Sequence, residues 1–245
     1  LLLDKLGVNY AKAIYKVEQK MNPSNKPKCI ELELQANASL GNIYYTTDNR
    51  DPKETSNLYQ SPIIVSKDIT IRAALYKNKK LKGKISVRNY VINKATNKSI
   101  TLKTPANKSY SGDGNFTLVN GVIGTLPRIS NQWLGWNSKD LDAVVDLGKE
   151  EDVSEISVGF LKEELSWIYL PQEIEYFTSN DGVQFTSIGK ITSNEINQER
   201  FASLRIKTIK AKYVKVVAKN FGKIPSGKPG AGENSWLFCD EIIIK

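Results

Sequence analysis

Apolar and polar residues recur along this chain with two different periods, and the change from one to the other draws its first boundary. Over residues 1–20 the apolar positions Leu3, Leu6, Tyr10, Ala13, Ile14 and Val17 fall close to helical spacing, with Gly7 interrupting the pattern. This predicts a helical segment. Pro23 and Pro27, in MNPSNKP (21–27), mark its end. From there the period falls to two. In CIELELQA (29–36), Ile30, Leu32 and Leu34 alternate with Glu31 and Glu33, which predicts a strand with one buried face. NIYYTT (42–47), SPIIV (61–65), DITIRAALY (68–76) and SVRNYVI (86–92) follow, divided by turn chemistry such as TDNRDP (47–52). With no long helical window between them, they predict a small all-β sandwich that closes at the polar stretch NKATNKS (93–99).

The same period runs through the remainder. LDAVVDLG (141–148) sets Ala143, Val145 and Leu147 on one face, VSEISVGFL (153–161) sets Ile156, Val158 and Phe160 there, and EIEYFTS (173–179) sets Ile174 and Tyr176 opposite Glu173 and Glu175. SNDG (179–182) reads as a tight hairpin turn, since Asp181 and Gly182 tolerate positive φ. AKYVKVVAK (211–219) and CDEIIIK (239–245) complete a larger β-sandwich, read as a jelly roll with its loops gathered at the sandwich ends.

Charge changes the picture by its location. The net charge is +9, but residues 1–98 hold 18 basic and 8 acidic groups while residues 99–245 hold 17 and 18. The densest run, KNKKLKGK (77–84), has only Tyr76 beside it as a stacking group and reads as a solvated turn, so nucleic acid is not expected as a partner. No apolar run approaches the eighteen residues of a membrane-spanning helix, so insertion in a membrane is not expected either. The chain opens at Leu1 in mid-pattern and is read as an excerpt of a longer protein.

The absence of histidine removes histidine triads, histidine metal sites and the usual general base at neutral pH. Cys29 and Cys239 have no zinc spacing, are assigned to different domains, and read as small buried hydrophobes rather than a disulfide or a catalytic thiol. The adjacent acids Asp140/Asp142, Glu150/Glu151, Glu163/Glu164 and Asp240/Glu241 make poor glycosidase couples. On a strand, neighbours point to opposite faces, and residues two apart sit too close together to flank a glycosidic bond.

Two stretches carry a family resemblance. IYYTTDNRDPKETSNLYQSPIIVSKDITIRAALYKNKKLKG (43–83) resembles the fibronectin-type-III-like domain that follows the barrel in bacterial chitobiases and β-hexosaminidases, with Asn49-Arg50 where a Gly-Ser pair is more usual. LVNGVIGT (118–125), WLGWNSKDLDAVVDLGKEEDVSEISVGFL (133–161), SWIYLPQEIEYFTSNDGVQF (166–185), AKYVKVVAKNFGKIP (211–225) and GENSWLFCDEIII (232–244) resemble a discoidin, or coagulation factor V/VIII type C, domain, the fold of family 32 carbohydrate-binding modules. LLLDKLGVNYAKAIYKV (1–17) resembles the last helix of a family 20 glycoside hydrolase barrel. Together these imply three parts: 1–22 a remnant of that helix, 23–97 the fibronectin-III-like domain, and 100–245 the discoidin-type jelly roll. They further imply an exported β-N-acetylhexosaminidase-like parent, periplasmic, on the cell surface or secreted, whose catalytic Asp-Glu pair lies in the barrel upstream, so that this fragment is not itself an enzyme.

The resemblance also implies a sugar site. Aromatic faces cover the CH patches of a pyranose while amides, carboxylates and ammonium groups bond its hydroxyls. In the corresponding loops stand Trp136, Trp167, Tyr169 and Trp236 as platforms, with Lys162, Glu163, Asn220, Lys223 and Asn234 as polar partners. Trp136, between Gly135 and Asn137, is the aromatic expected to be exposed; Trp133 is expected in the core; Trp236 stands between core and rim; Trp167 and Tyr169 could share a face, for packing or for ligand. Galactose-binding members supply a histidine that this chain lacks, which leaves the glycan open. A structural calcium ion is implied as well, between the turn at Asn120 and the last strand, with Asn120, Thr125 and Glu241 as ligands and backbone oxygens near Thr117, Thr125 and Asp240 completing the set. Asparagine stands where aspartate is usual and Val122 where an oxygen ligand often stands, so a turn braced by a hydrogen bond or a lysine is the alternative. The functional expectation is a glycan-binding module with the small sandwich as its spacer. Its rival is a pair of structural modules that brace the upstream barrel or fix a subunit contact.

Overall fold

The computed structural model describes residues 15–37, 40–126, 130–196 and 200–245, and the chain divides into two compact units. Both are built of strands, as the alternation predicts.

The first unit holds β1 (Glu18–Pro23), β2 (Ile30–Gln35), β3 (Asn42–Thr46), β4 (Asn57–Leu58), β5 (Ile63–Val65), β6 (Ile69–Lys77) and β7 (Lys80–Tyr90). They form a three-stranded sheet, β1-β2-β5, and a four-stranded sheet, β4-β3-β6-β7. Ile30, Leu32 and Leu34 point inward from β2, and Ile71, Ala73 and Leu75 from β6, as their period of two requires. The lysine-rich run forms the β6–β7 turn, with Asn78 and Lys79 at positive φ and exposed.

The helix expected over residues 1–22 lies mostly outside the described residues, and from Glu18 onward the chain is a strand instead. Tyr15, Val17, Gln19 and Met21 are buried while Lys16, Glu18 and Lys20 are exposed, a period of two. Gln19 conceals this in the sequence, because it is a polar residue facing inward. Its Nε2 donates to the Ile71 and Ser86 carbonyls and to Ser86 Oγ, and its Oε1 accepts from Tyr90 Oη at 2.9 Å. A buried amide satisfied in this way replaces an apolar residue at little net cost.

The second unit comprises residues 23–29 and 91–245. Its boundary therefore differs from the expected one at 97–100, and Cys29 falls in the same unit as Cys239. The reason is local bonding: Val91 N donates to Gly121 O, Lys94 N to Ile244 O and Asn97 N to Val119 O, while Ala95 is buried in the larger core. Both cysteines are buried and unpaired.

Here β8 (Ser99–Leu102), β9 (Leu134–Asn137), β10 (Leu141–Phe160), β11 (Glu173–Ser179), β12 (Thr186–Thr192), β13 (Phe201–Ala218) and β14 (Trp236–Ile244) make a seven-stranded sheet in the order β12-β11-β13-β10-β14-β9, with β8 on β10. The two long strands β10 and β13 change register at Asp146/Glu151 and again at Val153/Glu155, so their two halves serve different parts of the sandwich. One cluster fills it, with Ala143, Val145, Leu147, Ile156, Val158 and Phe160 of β10 all buried. The hairpin expected at SNDG is looser than a two-residue turn: residues 180–185 separate β11 from β12, and Ser179 Oγ and Asp181 Oδ1 accept the loop N–H groups. The last strand lies between β10 and β9, and every residue after Trp236 is buried.

Candidate functional site

Three segments meet at the end of the second unit where β14 begins. Residues 162–169 form a tight loop in which Glu163 and Ile168 exchange backbone hydrogen bonds around a short 3-10 turn, Glu164–Ser166. Trp167 closes that turn at φ +62°, in the left-handed region that few non-glycine residues adopt. Its carbonyl accepts from Trp236 N, and Tyr169 N donates to Trp236 O, so the loop runs alongside the start of β14. The third segment, 220–235, folds back on itself through Ile224 N to Glu233 O and Ser235 N to Gly222 O, which sets Lys223 opposite Asn234.

Of the nine predicted sugar-contact residues, five present themselves to solvent here: Lys162, Glu163, Trp167, Lys223 and Asn234. Trp167 is the exposed aromatic, at 41%, beside Leu165 at 86%. Lys162 reaches Glu164 at 3.2 Å.

The other four have structural tasks. Trp136, expected to be exposed, is buried at 1%; it faces the core opposite Leu237, and its Nε1 donates to Thr104 O at 3.0 Å. The flanking Gly135 does not open the strand to solvent. It is small because Phe238 Cζ and Tyr110 would lie within 2.8 and 2.9 Å of a Cβ there, not because the strand is open. Trp136 borders a cleft of about 250 Å³, shared with Pro105, Asn107 and Lys139. Tyr169 is buried beneath the rim, stacked on Phe221 at 4.8 Å with its hydroxyl donating to Pro229 O. Asn220 is satisfied throughout: its Oδ1 accepts from Gly222 N and Ser235 Oγ, and its Nδ2 donates to the Trp136 and Lys139 carbonyls. Trp236 is half-buried, edge-on to Tyr110 at 4.9 Å. Trp133 is in the core, as expected.

Lys228 is a further residue of this rim. Its ammonium lies 5.6 Å from the Tyr169 ring centroid and 3.8 Å from Glu164, tying the 220–235 loop to the 162–169 loop. The only signal for it in the sequence is its place within the glycine-rich SGKPGAGE (226–233).

The carboxylates of the last strand are sealed in. Asp240 and Glu241 are 0% exposed, so no substrate reaches them. Asp240 Oδ2 accepts from Gly124 N at 2.7 Å and from Arg200 Nη1 at 2.9 Å, and Arg200 Nη2 donates to Gly124 O. Glu241 Oε1 accepts from Gly121 N at 3.1 Å, while its Oε2 has no hydrogen-bond partner. Burial pushes both carboxyls up, Glu241 well above the usual carboxylate range because the Asp240 charge adds to it.

The side chains of Asn120, Thr125 and Glu241 do not by themselves make a calcium site. Calcium takes six to eight oxygens. Asn120 Oδ1 already accepts from Val122 N, which leaves its Nδ2, a donor without a partner, as the free atom. The Thr125 amide and hydroxyl both donate to Gln132 Oε1. Among the described residues no three His, Cys, Asp or Glu side chains are placed to hold a metal ion together.

Comparison with known proteins agrees with the two-unit division. The F5/8 type C domain family matches residues 99–242, and the family described as Fn3 associated matches residues 32–90. No curated protein matches the chain. Solved structures similar to it include the lectin domain of lectinolysin complexed with Lewis B antigen (18% identity, 62% of this chain and 95% of that one, TM-score 0.45). Another is chitosan-binding module 2, in complex with chitotriose, of a chitosanase/glucanase from Paenibacillus sp. IK-5 (14% identity, 62% and 98%, TM-score 0.42). A third is a pectin binding carbohydrate binding module (17% identity, 60% and 88%, TM-score 0.41). No helix among the described residues is long and apolar enough to cross a membrane.

Proposed function

The chain belongs to the F5/8 type C domain family, and from the loop geometry at the head of its last strand we propose that the second unit is a non-catalytic carbohydrate-binding module. The observation that carries this reading is Trp167. A half-exposed indole on a left-handed residue, backed by a loop that is itself tied down, is a ready platform for the apolar face of a pyranose. Lys162, Glu163, Lys223 and Asn234 stand on the same or the bonded segments and offer donors and acceptors for hydroxyls.

The first unit acts in this reading as a spacer. The parent is a β-N-acetylhexosaminidase-like glycoside hydrolase of family 20, exported to a periplasm, a cell surface or the medium, with its catalytic barrel upstream. Tethering to a glycan raises the effective substrate concentration for that barrel. The order of the Fn3-associated and F5/8 type C matches supports this arrangement. A full-length protein that leaves a chromogenic N-acetylhexosaminide intact would overturn the parentage without touching the sugar-binding reading.

The sugar-binding reading is tested by a glycan array on this chain and on Trp167→Ala. Expected are glycan signals that fall by roughly tenfold or more in the variant while its melting temperature stays the same. A folded wild-type chain that is silent on the array favours the second reading, that both units are structural, which draws on the burial of Trp136, Tyr169 and Asn220.

A further inference from the structure

The turn at 120–125 faces Asp240 and Glu241 of β14, and a positive charge already lies against Asp240. Arg200 stands one residue before β13, at φ +55°, and its carbonyl accepts from Phe160 N, so its backbone is pinned to β10. Its guanidinium then spans the junction as a fork: Nη1 reaches Asp240 Oδ2 at 2.9 Å and Nη2 reaches Gly124 O at 2.7 Å. The flat cation also lies 4.9 Å from the Trp133 ring centroid and 5.4 Å from that of Phe201. Such a fork suits an arginine and not a lysine, because it needs two donors in one plane.

The rest of the junction is shaped around this arrangement. A Cβ on Gly159 would fall 2.0 Å from Asp240 Oδ1, and one on Gly124 would fall 2.5 Å from the Trp133 ring, so both glycines leave room for the pieces Arg200 joins. The buried atoms without partners here are two N–H donors, Asn120 Nδ2 and Trp133 Nε1, and one acceptor, Glu241 Oε2. Gly121 N bonds the other oxygen of Glu241, so Asn120 and Glu241 are neighbours across the junction. The N–H donor left over at Asn120 suits a water molecule, which can accept from it. It does not suit a divalent ion, which the amide N–H would repel.

We infer that Arg200, and not a divalent ion, supplies the positive charge held against Asp240 at this junction, so that the second unit folds and stays folded without one. The carboxylate-binding charge is carried by the chain itself, from a residue outside the turn and outside the last strand.

The test is a set of thermal melts of the full chain, after dialysis against EDTA and after addition of calcium, beside Arg200→Met and Arg200→Lys. Expected are one melting temperature for the wild type in both conditions and no calcium in the desalted protein by elemental analysis. Arg200→Met should melt lower by roughly 10 °C, since it strips the partner from a buried carboxylate, and Arg200→Lys by less. A wild-type melting temperature that climbs with calcium, one bound calcium per chain, or an Arg200→Met protein as stable as the wild type overturns the inference. If Arg200→Met does not fold, Arg200→Lys carries the test: it must melt below the wild type and remain indifferent to calcium.

Discussion

The indole of Trp167 lies directly on the backbone of Gly230: a Cβ at Gly230 would come within 2.5 Å of Cδ1 and 2.6 Å of Nε1. Gly230 also holds φ at +80°, where any side chain is strained. The orientation of the exposed aromatic therefore depends on the absence of a methyl group in a loop distant in sequence. Gly230→Ala should shift the indole and weaken glycan binding by roughly tenfold, with stability falling by only about 1–2 kcal/mol. Calorimetric titration with the best array hit, beside a melt of each protein, checks this.

Trp136 should behave in the opposite way. It fills the core and holds Thr104 O, so Trp136→Ala should cost about 3–5 kcal/mol of unfolding free energy. Trp136→Phe should cost less. Folded Trp136→Phe protein should bind glycan as the wild type does, measured by chemical denaturation and titration on the same preparation. A loss of binding without a loss of stability would contradict the placement of this side chain.

In the first unit, Gln19→Ala should destabilise by about 2–3 kcal/mol, because it leaves the Ile71 carbonyl and the Tyr90 hydroxyl buried with a partner removed. Gln19→Glu should be at least as harmful, since a carboxylate cannot donate to those carbonyls. Urea unfolding followed by tyrosine fluorescence reads both.

Asp181 gives a pH dependence. Hydrogen bonds from Val183 N and then Gln184 N hold its carboxyl below the ordinary aspartate value. The depressed folded value means that the ion contributes stability above the unfolded value of about 3.9, and that this is lost as pH falls through the lower folded value. Asp181→Asn should therefore lower the melting temperature at neutral pH, and the difference should close below about pH 4. A gap that stays constant from pH 7 to pH 3 would refute the ionic contribution.

Much of this fold is written in alternation that a single sequence displays, because one face of each strand meets a core. Ile30, Leu32 and Leu34, or Ala143, Val145 and Leu147, could take few other arrangements. β1 was hidden by Gln19, a polar residue whose inward position makes sense only beside Ile71, Ser86 and Tyr90, more than fifty residues away. The candidate site was legible as a set of loops but not residue by residue. Whether a loop tryptophan lies face-up or buried is decided by what stands opposite it. Tyr110 and Phe238 fill the space that Gly135 leaves, and Lys228 and Gly230 shape the rim at Tyr169 and Trp167. None of these partners is a sequence neighbour, and neither is Arg200, which reaches Gly124 across seventy-six positions.

The placement of β14 has a consequence for how the chain is made. The strand that touches both β10 and β9, and whose Asp240 and Glu241 hold the turn after Val119, spans residues 236–244 and is synthesised after all its partners. Until it emerges, β9 and the Arg200 fork have nothing to close upon, and the apolar faces of β10 stand open. The first unit, built from hairpins such as β6–β7, can complete itself while the ribosome is still working. The second unit must wait for its final strand, and that interval is when it is most exposed to aggregation or to a chaperone.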